Sequence, residues 1–329
     1  MRPTLTSSEA STMAPSRFAR SGFTIVEILV ASAVLAFVLF IVLSMTDVIS
    51  GIWKRTSNKI DSFQDARIAF DTLTRNLSQA TLNTYLDYDS PTNPQRYIRQ
   101  SELKFVMGPT GSGLPGITGG GQVLLFQAPT GYLNNTSKYQ GLEMLLNTCG
   151  YYVDFTTNSM IPPHVENGSN TYRYRLMQLM VPADQNQIYK ATGTSWFSDF
   201  VNQAIPVADN IIALIFRPQD PASTPGDIST SYVYDSTANT ASDPQPDTAH
   251  QLPPLVQVTM IALDEASFRR ISNGNSQPSV ISNALQGRFL QTQKYDEDLN
   301  AVLGDLQKEN LTYRVFTSAV PIRESKWTK

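Results

Sequence analysis

Few side chains in this sequence have the type and spacing that chemistry requires. His164 and His250 are its two histidines, far apart along the chain and both in polar, proline-containing stretches. Pairing them for acid–base or metal chemistry would need long-range folding, so they read as exposed loop residues. Cys149 is the single cysteine, which excludes an internal disulfide and a cysteine-based zinc cluster. It precedes Gly150 and an aromatic run, the setting of a buried, inert thiol rather than a nucleophile. The Gly-rich stretch 108–121 lacks the Gly-Lys-Ser/Thr ending of a phosphate loop and reads as a flexible hairpin connection. Asp87/Asp89 and Asp243/Asp247 could offer oxygens to calcium, but without regular ligand spacing. Tyr172-Arg173-Tyr174-Arg175 alternates as a single-stranded nucleic-acid platform would, and equally as a half-exposed strand. We expect no catalytic, cofactor-binding or metal-ligating residue, and no cofactor.

Glu27 stands apart. It sits at the start of an uncharged apolar run from Ile28 through Thr46, where insertion of a carboxylate costs roughly 2.5–3.5 kcal/mol at the bilayer centre and less nearer the interface. A residue held at that cost calls for a partner. Phe23 to Thr46 is 24 residues, or roughly 36 Å of helix, enough to cross a ~30 Å hydrocarbon core with tilt. Arg2, Arg17 and Arg20 precede it and favour a cytoplasmic N-terminus with the body outside. The chain carries a net charge of −3 and its leader is basic, so the body is acidic. That gives no long-range attraction to nucleic acid or anionic lipid, and nucleic acid is not expected as a partner.

Three assignments compete for this N-terminus. A cleaved secretory signal usually has an apolar core of about 7–15 residues and a small-x-small site; this run is longer and lacks that site before Asp47. A plain anchor explains the length but neither Glu27 nor the Gly-Phe step. The segment Gly22-Phe23-Thr24-x-x-Glu27 resembles the processing and N-methylation motif of type IV pilins and type II secretion pseudopilins. The resemblance implies cleavage by a prepilin peptidase between Gly22 and Phe23, N-methylation of Phe23, and an assembly contact from Glu27 to the amine of an adjacent subunit. A buried pair of that kind sets register better than it adds stability.

The elements that would carry these residues follow in order. Apolar positions Ile49, Trp53, Thr56, Ile60, Phe63, Ala66, Phe70, Leu73, Leu77 and Ala80 recur at steps of three and four. One helix is therefore expected from Phe23 to about Tyr85, its distal half packed on its own domain. Strands are expected at Leu103–Met107, Val123–Gln127, Tyr151–Phe155, Tyr172–Val181, Ile211–Phe216, Ser231–Tyr234, Leu255–Leu263 and Leu311–Ala319. Short helices are expected at Gly141–Asn147, Ser279–Gln286 and Asp296–Gln307, where the acidic triplet Asp296-Glu297-Asp298 suits a helix start. Arg217–Pro254, with seven prolines, reads as a long loop, functional or poorly ordered.

The stretch Ala66-Arg67-Ile68-Ala69-Phe70-Asp71 through Arg75-Asn76-Leu77 is similar to the equivalent helix of J-type minor pseudopilins, as is Pro206–Phe216. The body is similar to the Verru_Chthon cassette protein C family. Ser101–Val106, Phe126–Pro129, Leu145–Phe155, Tyr174–Met177 and Leu252–Ser267 carry that likeness. Together these imply an α+β, pilin-like fold: a leader over 1–22, a membrane segment over 23–46, an amphipathic continuation over 47–86 and a β-rich extracytoplasmic body over 87–329. The expected role is a structural, non-enzymatic minor pseudopilin-like subunit in the inner membrane, partnered by other pilin-like subunits and by the prepilin peptidase. A minor type IV pilin for adhesion or DNA uptake, and an anchored envelope protein that never assembles, are the alternatives.

Overall fold

The computed structural model describes residues 24–328, apart from 112, 118–120, 135–138, 140, 143, 158–170, 191–192 and 224–225; at 48 and 51–62 only the backbone is described. The leader, Gly22, Phe23 and His164 lie outside the described residues. The chain divides into two units, Met1–Thr56 and Ser57–Lys329.

Helix α1, Ile25–Ser78, is 54 residues long. In the first unit, the Ile25–Asp47 segment is long and apolar enough to cross a membrane, and none of it is buried against protein. Its hydroxyls are satisfied within the helix: Ser32 donates to the Leu29 carbonyl, Ser44 to Ile41 and Thr46 to Val42. This is how short polar side chains are tolerated without water.

In the second unit, the distal part of α1 buries one face, with Ala66, Phe70, Leu73, Leu77 and Ala80 in the core. The expected stripe is therefore an internal packing face here. The helix stops at Ser78, short of Tyr85, because its end is claimed by other elements. The Ser78 carbonyl accepts from Arg323 N, and Thr81 N donates to the Gln127 carbonyl.

All strand pairings among the described residues are antiparallel. A two-stranded ribbon joins β1 (Tyr85–Tyr88) to β2 (Tyr97–Gln100). A six-stranded sheet is built from β3 (Val106–Pro109), β4 (Gln122–Ala128), β5 (Asn147–Thr156), β6 (Arg173–Val181), β7 (Ile205–Asp209) and β9 (Tyr234–Asp235), in the order β7-β6-β5-β4-β3-β9. A three-stranded sheet has β8 (Ile211–Gln219), β10 (Leu255–Leu263) and β11 (Tyr313–Pro321), in the order β11-β10-β8.

Alternation along the strands divides the six-stranded sheet between two cores. Leu124, Phe126, Cys149, Tyr151, Tyr174 and Leu176 join the large cluster that includes α1 and the three-stranded sheet. Val123, Leu125, Tyr152, Met177 and Leu179 face the opposite way, onto Trp196 and Phe197 of the one-turn helix α2 (Ser195–Ser198). Helix α1 touches both sheets: Asn76 Nδ2 donates to Tyr151 Oη at 2.8 Å, and Phe70 meets Phe316 with ring centroids 5.8 Å apart. Helices α3 (Glu265–Ile271), α4 (Ser279–Leu285) and α5 (Tyr295–Lys308) complete the body. The architecture is α+β, as expected.

Several details depart from expectation. The described residues of Gly141–Asn147 form no helix, and Asn147 starts β5 instead. There, Asn147 Nδ2 donates to the carbonyls of Tyr132 and Val181, holding the preceding loop against the sheet. The described part of Arg217–Pro254 is packed rather than loose. Arg217 grips Asp227 through Nε and Nη2 at 2.6 and 2.8 Å, while Tyr232, Tyr234, Ala249 and Leu252 are buried. Of the expected strand Ser231–Tyr234 only Tyr234 is in a strand, at the start of the two-residue β9.

Candidate functional site

The start of α1 is built from two residues. Thr24 is the residue before the helix, and its Oγ1 accepts from Glu27 N at 3.3 Å. Glu27 reaches back: its Oε2 accepts from Thr24 N at 3.0 Å and from Thr24 Oγ1 at 3.0 Å. This is a capping box, in which a Thr and a Glu three residues apart satisfy each other's backbone donors. It answers part of what makes Glu27 costly, since one carboxylate oxygen has protein donors before any other chain arrives. Among the described residues nothing donates to Oε1. The side chain is therefore half engaged, on a helix whose neighbouring Ile25, Val26, Ile28 and Leu29 are all more than half exposed. Gly22 and Phe23, expected to be the cleavage and methylation positions, lie outside the described residues. Thr24, part of the Gly-Phe-Thr-x-x-Glu segment, thus acts as a helix cap, a role not assigned to it from the sequence. Its signal was Thr-x-x-Glu directly ahead of an apolar run.

The other chemical candidates are accounted for by structure. His250 is buried, not exposed: 6% of its surface is accessible. Its N donates to the Ser236 carbonyl, its own carbonyl accepts from Thr84 Oγ1, and its φ of 54° lies in the left-handed region. Neither ring nitrogen has a partner among the described residues. Burial lowers its pKa, with Arg99 adding to the shift and Glu102 opposing it. Glu102 is held by Asn83 and by Tyr85 Oη, so no acid–base pair forms around the imidazole. Cys149 is fully buried and desolvation pushes its thiol up to about 12, which removes thiolate reactivity at neutral pH.

One aspartate of each pair, Asp89 and Asp243, converges on a cation. Arg96 bonds Asp243 and lies 3.7 Å from Asp89, whose Oδ1 also accepts from Gln95 N at 2.9 Å. No group of three or more His, Cys, Asp or Glu side chains able to hold a metal occurs among the described residues. The Tyr-Arg alternation is likewise used internally: Arg173 pairs with Glu265, Arg175 with Asp209, and Tyr174 is buried. The guanidiniums are thus committed to ion pairs within the body. No family model and no curated protein matches this chain. The reading of its role therefore rests on the geometry just described and on the sequence itself.

Proposed function

We propose that the protein is a structural, non-enzymatic pilin-like subunit. It is processed between Gly22 and Phe23 by a prepilin peptidase and methylated at Phe23. It then packs its N-terminal helix against sibling subunits in a secretion-type pseudopilus, its N-terminus starting on the cytoplasmic side of the inner membrane. The observation that carries this reading is Glu27 itself: a carboxylate on an otherwise apolar, unburied span, with one oxygen capped and the other open to a donor from outside the chain. A terminal amine freed by cleavage is a donor of the right charge.

The capping box favours one competing reading, an anchored domain that never assembles, in which Glu27 exists only to cap its helix. Glu27→Gln separates the two. Glutamine serves the N3 position of a capping box but carries no charge to meet an ammonium group. On the assembly reading, Glu27→Gln abolishes cross-links between neighbouring subunits, measured by cysteine pairs near residue 27, while membrane insertion and the body's melting temperature stay unchanged. Thr24→Val, which breaks the cap and keeps the charge, leaves cross-linking largely intact. Unaltered cross-linking in Glu27→Gln leaves only the anchor. Mass spectrometry of the mature N-terminus tests the processing step separately, a methylated Phe23 being the expected result.

A further inference from the structure

The β1–β2 ribbon has one closed edge and one open edge. On the β2 side, Arg99 N donates to Gln245 Oε1 at 2.9 Å and the Arg99 carbonyl accepts from Gln245 Nε2 at 2.9 Å. A side chain thus stands in for a neighbouring strand. Arg99 lies directly opposite Leu86. Because the backbone groups of Arg99 point away from β1, the pair is of the non-hydrogen-bonded kind, and the N–H and C=O of Leu86 point outward from β1. No described residue takes them up, and the Leu86 side chain is 68% exposed. An open strand edge of this sort is a template for another strand.

The ribbon face bearing Leu86 leads into a cavity of about 300 Å³, at the small end of the range for ligand pockets. Its walls include Leu82, Leu252, Arg99, Glu324 and Lys326. The floor is pinned by Gln251, whose amide clasps both the N–H and the carbonyl of Thr328. On the same ribbon face, further out, Tyr88 and Tyr97 stack with centroids 4.9 Å apart and stand half exposed or more. Arg99 spends Nε and Nη2 on the carbonyls of Ala249 and Pro246. The Lys326 ammonium has no ion-pair partner among the described residues. With two cations against the single carboxylate of Glu324, the cavity favours an anionic group beside an apolar one.

We propose that this surface binds an extended peptide segment of a partner protein as an added strand on β1. The peptide places one apolar side chain in the cavity and a carboxylate toward Arg99 and Lys326, and its backbone pairs with Leu86. Main-chain bonding supplies affinity and the pocket supplies selectivity. The site lies wholly on the body and is independent of how the N-terminal helix assembles.

The test uses the full chain in lipid nanodiscs and a labelled hexapeptide of alternating threonine and valine that ends in leucine with a free carboxylate. Fluorescence anisotropy is expected to show saturable binding. Leu86→Pro removes the outward N–H at an exposed edge position that accepts proline, and is expected to weaken binding at least tenfold with an unchanged circular dichroism spectrum. Lys326→Gln, or amidation of the peptide terminus, is expected to weaken it about threefold, and Glu324→Gln to strengthen it by a similar factor, the scale of single half-exposed charges. Absence of saturable binding overturns the proposal. So does binding indifferent to Leu86→Pro, or binding of octanoate alone where the peptide fails.

Discussion

Glu265 joins three elements through one carboxylate. It accepts from Arg173 of β6, from Asn210 Nδ2 at the β7–β8 corner at 2.9 Å, and from Arg269 Nε one turn further along α3 at 2.7 Å. Burial alone would raise its pKa; the hydrogen bonds from Arg173 and Asn210 outweigh that and hold it at about 2, below an ordinary value of 4.5. A carboxylate whose folded pKa is depressed stabilises the fold fully above its unfolded pKa and loses that stabilisation as pH falls toward the folded one. The urea midpoint is therefore expected to decline between about pH 4.5 and about pH 2 through this group. Glu265→Gln should lower stability at pH 7 by roughly 2 kcal/mol, the scale of a charge-assisted bond, and flatten part of the acid decline. Asp305, held low by Lys308 and Arg288, Glu102, held low by Tyr85, and Asp89, held low by the Gln95 N–H, contribute in the same direction. His250 acts in the same direction at higher pH. Its lowered pKa means that the unfolded chain takes up the proton first, so stability falls as pH drops below about 6.5.

Helix α1 shows how one periodic pattern can serve two surroundings. Leu73 is fully buried between the sheets, whereas Ile68, five residues earlier, is 58% exposed. Leu73→Ala is expected to cost about 2–5 kcal/mol through lost burial and a cavity, and Ile68→Ala less than about 0.5 kcal/mol; chemical denaturation of both variants checks the contrast. Spacing of three and four was enough to foresee this face, and β-branched runs were enough to foresee β4, β5, β6, β8 and β10, with β10 matched at both ends. The ribbon was missed. Tyr85–Tyr88 contains Asp87, and Tyr97–Gln100 contains Arg99; such polar four-residue segments become strands only because Gln245 and each other's backbones are there to pair with them. β7 was missed for a similar reason, since Pro206 argues against a strand except at an edge, which is where β7 lies. Helix α3 begins with Asp264 accepting from Ser267 N, a cap that was readable but sits directly after a strand. At the candidate site the Glu27 anomaly was legible. Its capping partner was legible too, as Thr-x-x-Glu ahead of an apolar run, whereas the burial of His250 depends on contacts with Thr84 and Ser236 that no local pattern encodes.

At the scale of the whole body, Cys149 offers a single internal reporter. It lies mid-sheet on β5, opposite Phe126 of β4 and Met180 of β6, in the cluster shared by both sheets and α1. Reaching its sulfur requires more than fraying of a loop or an edge strand, because β5 is interior to the six-stranded order. Its side chain projects from the sheet face into that cluster, so labelling by a thiol reagent reports openings that lift α1 and the three-stranded sheet off this face, which are large-scale events. In the native full chain at pH 8 the thiol is expected to react about 10³-fold or more slowly than free cysteine, consistent with a domain's unfolding equilibrium. The rate should rise in parallel with urea-induced loss of fluorescence from Trp196, on the opposite face of the same sheet, read in a background where Trp53 and Trp327 are replaced by phenylalanine. If the two cores open together, one labelling rate and one fluorescence transition give the same free energy, and Leu73→Ala shifts both equally. If labelling outruns the fluorescence change, the α1-facing core opens first, and the body is two cooperative layers sharing one sheet.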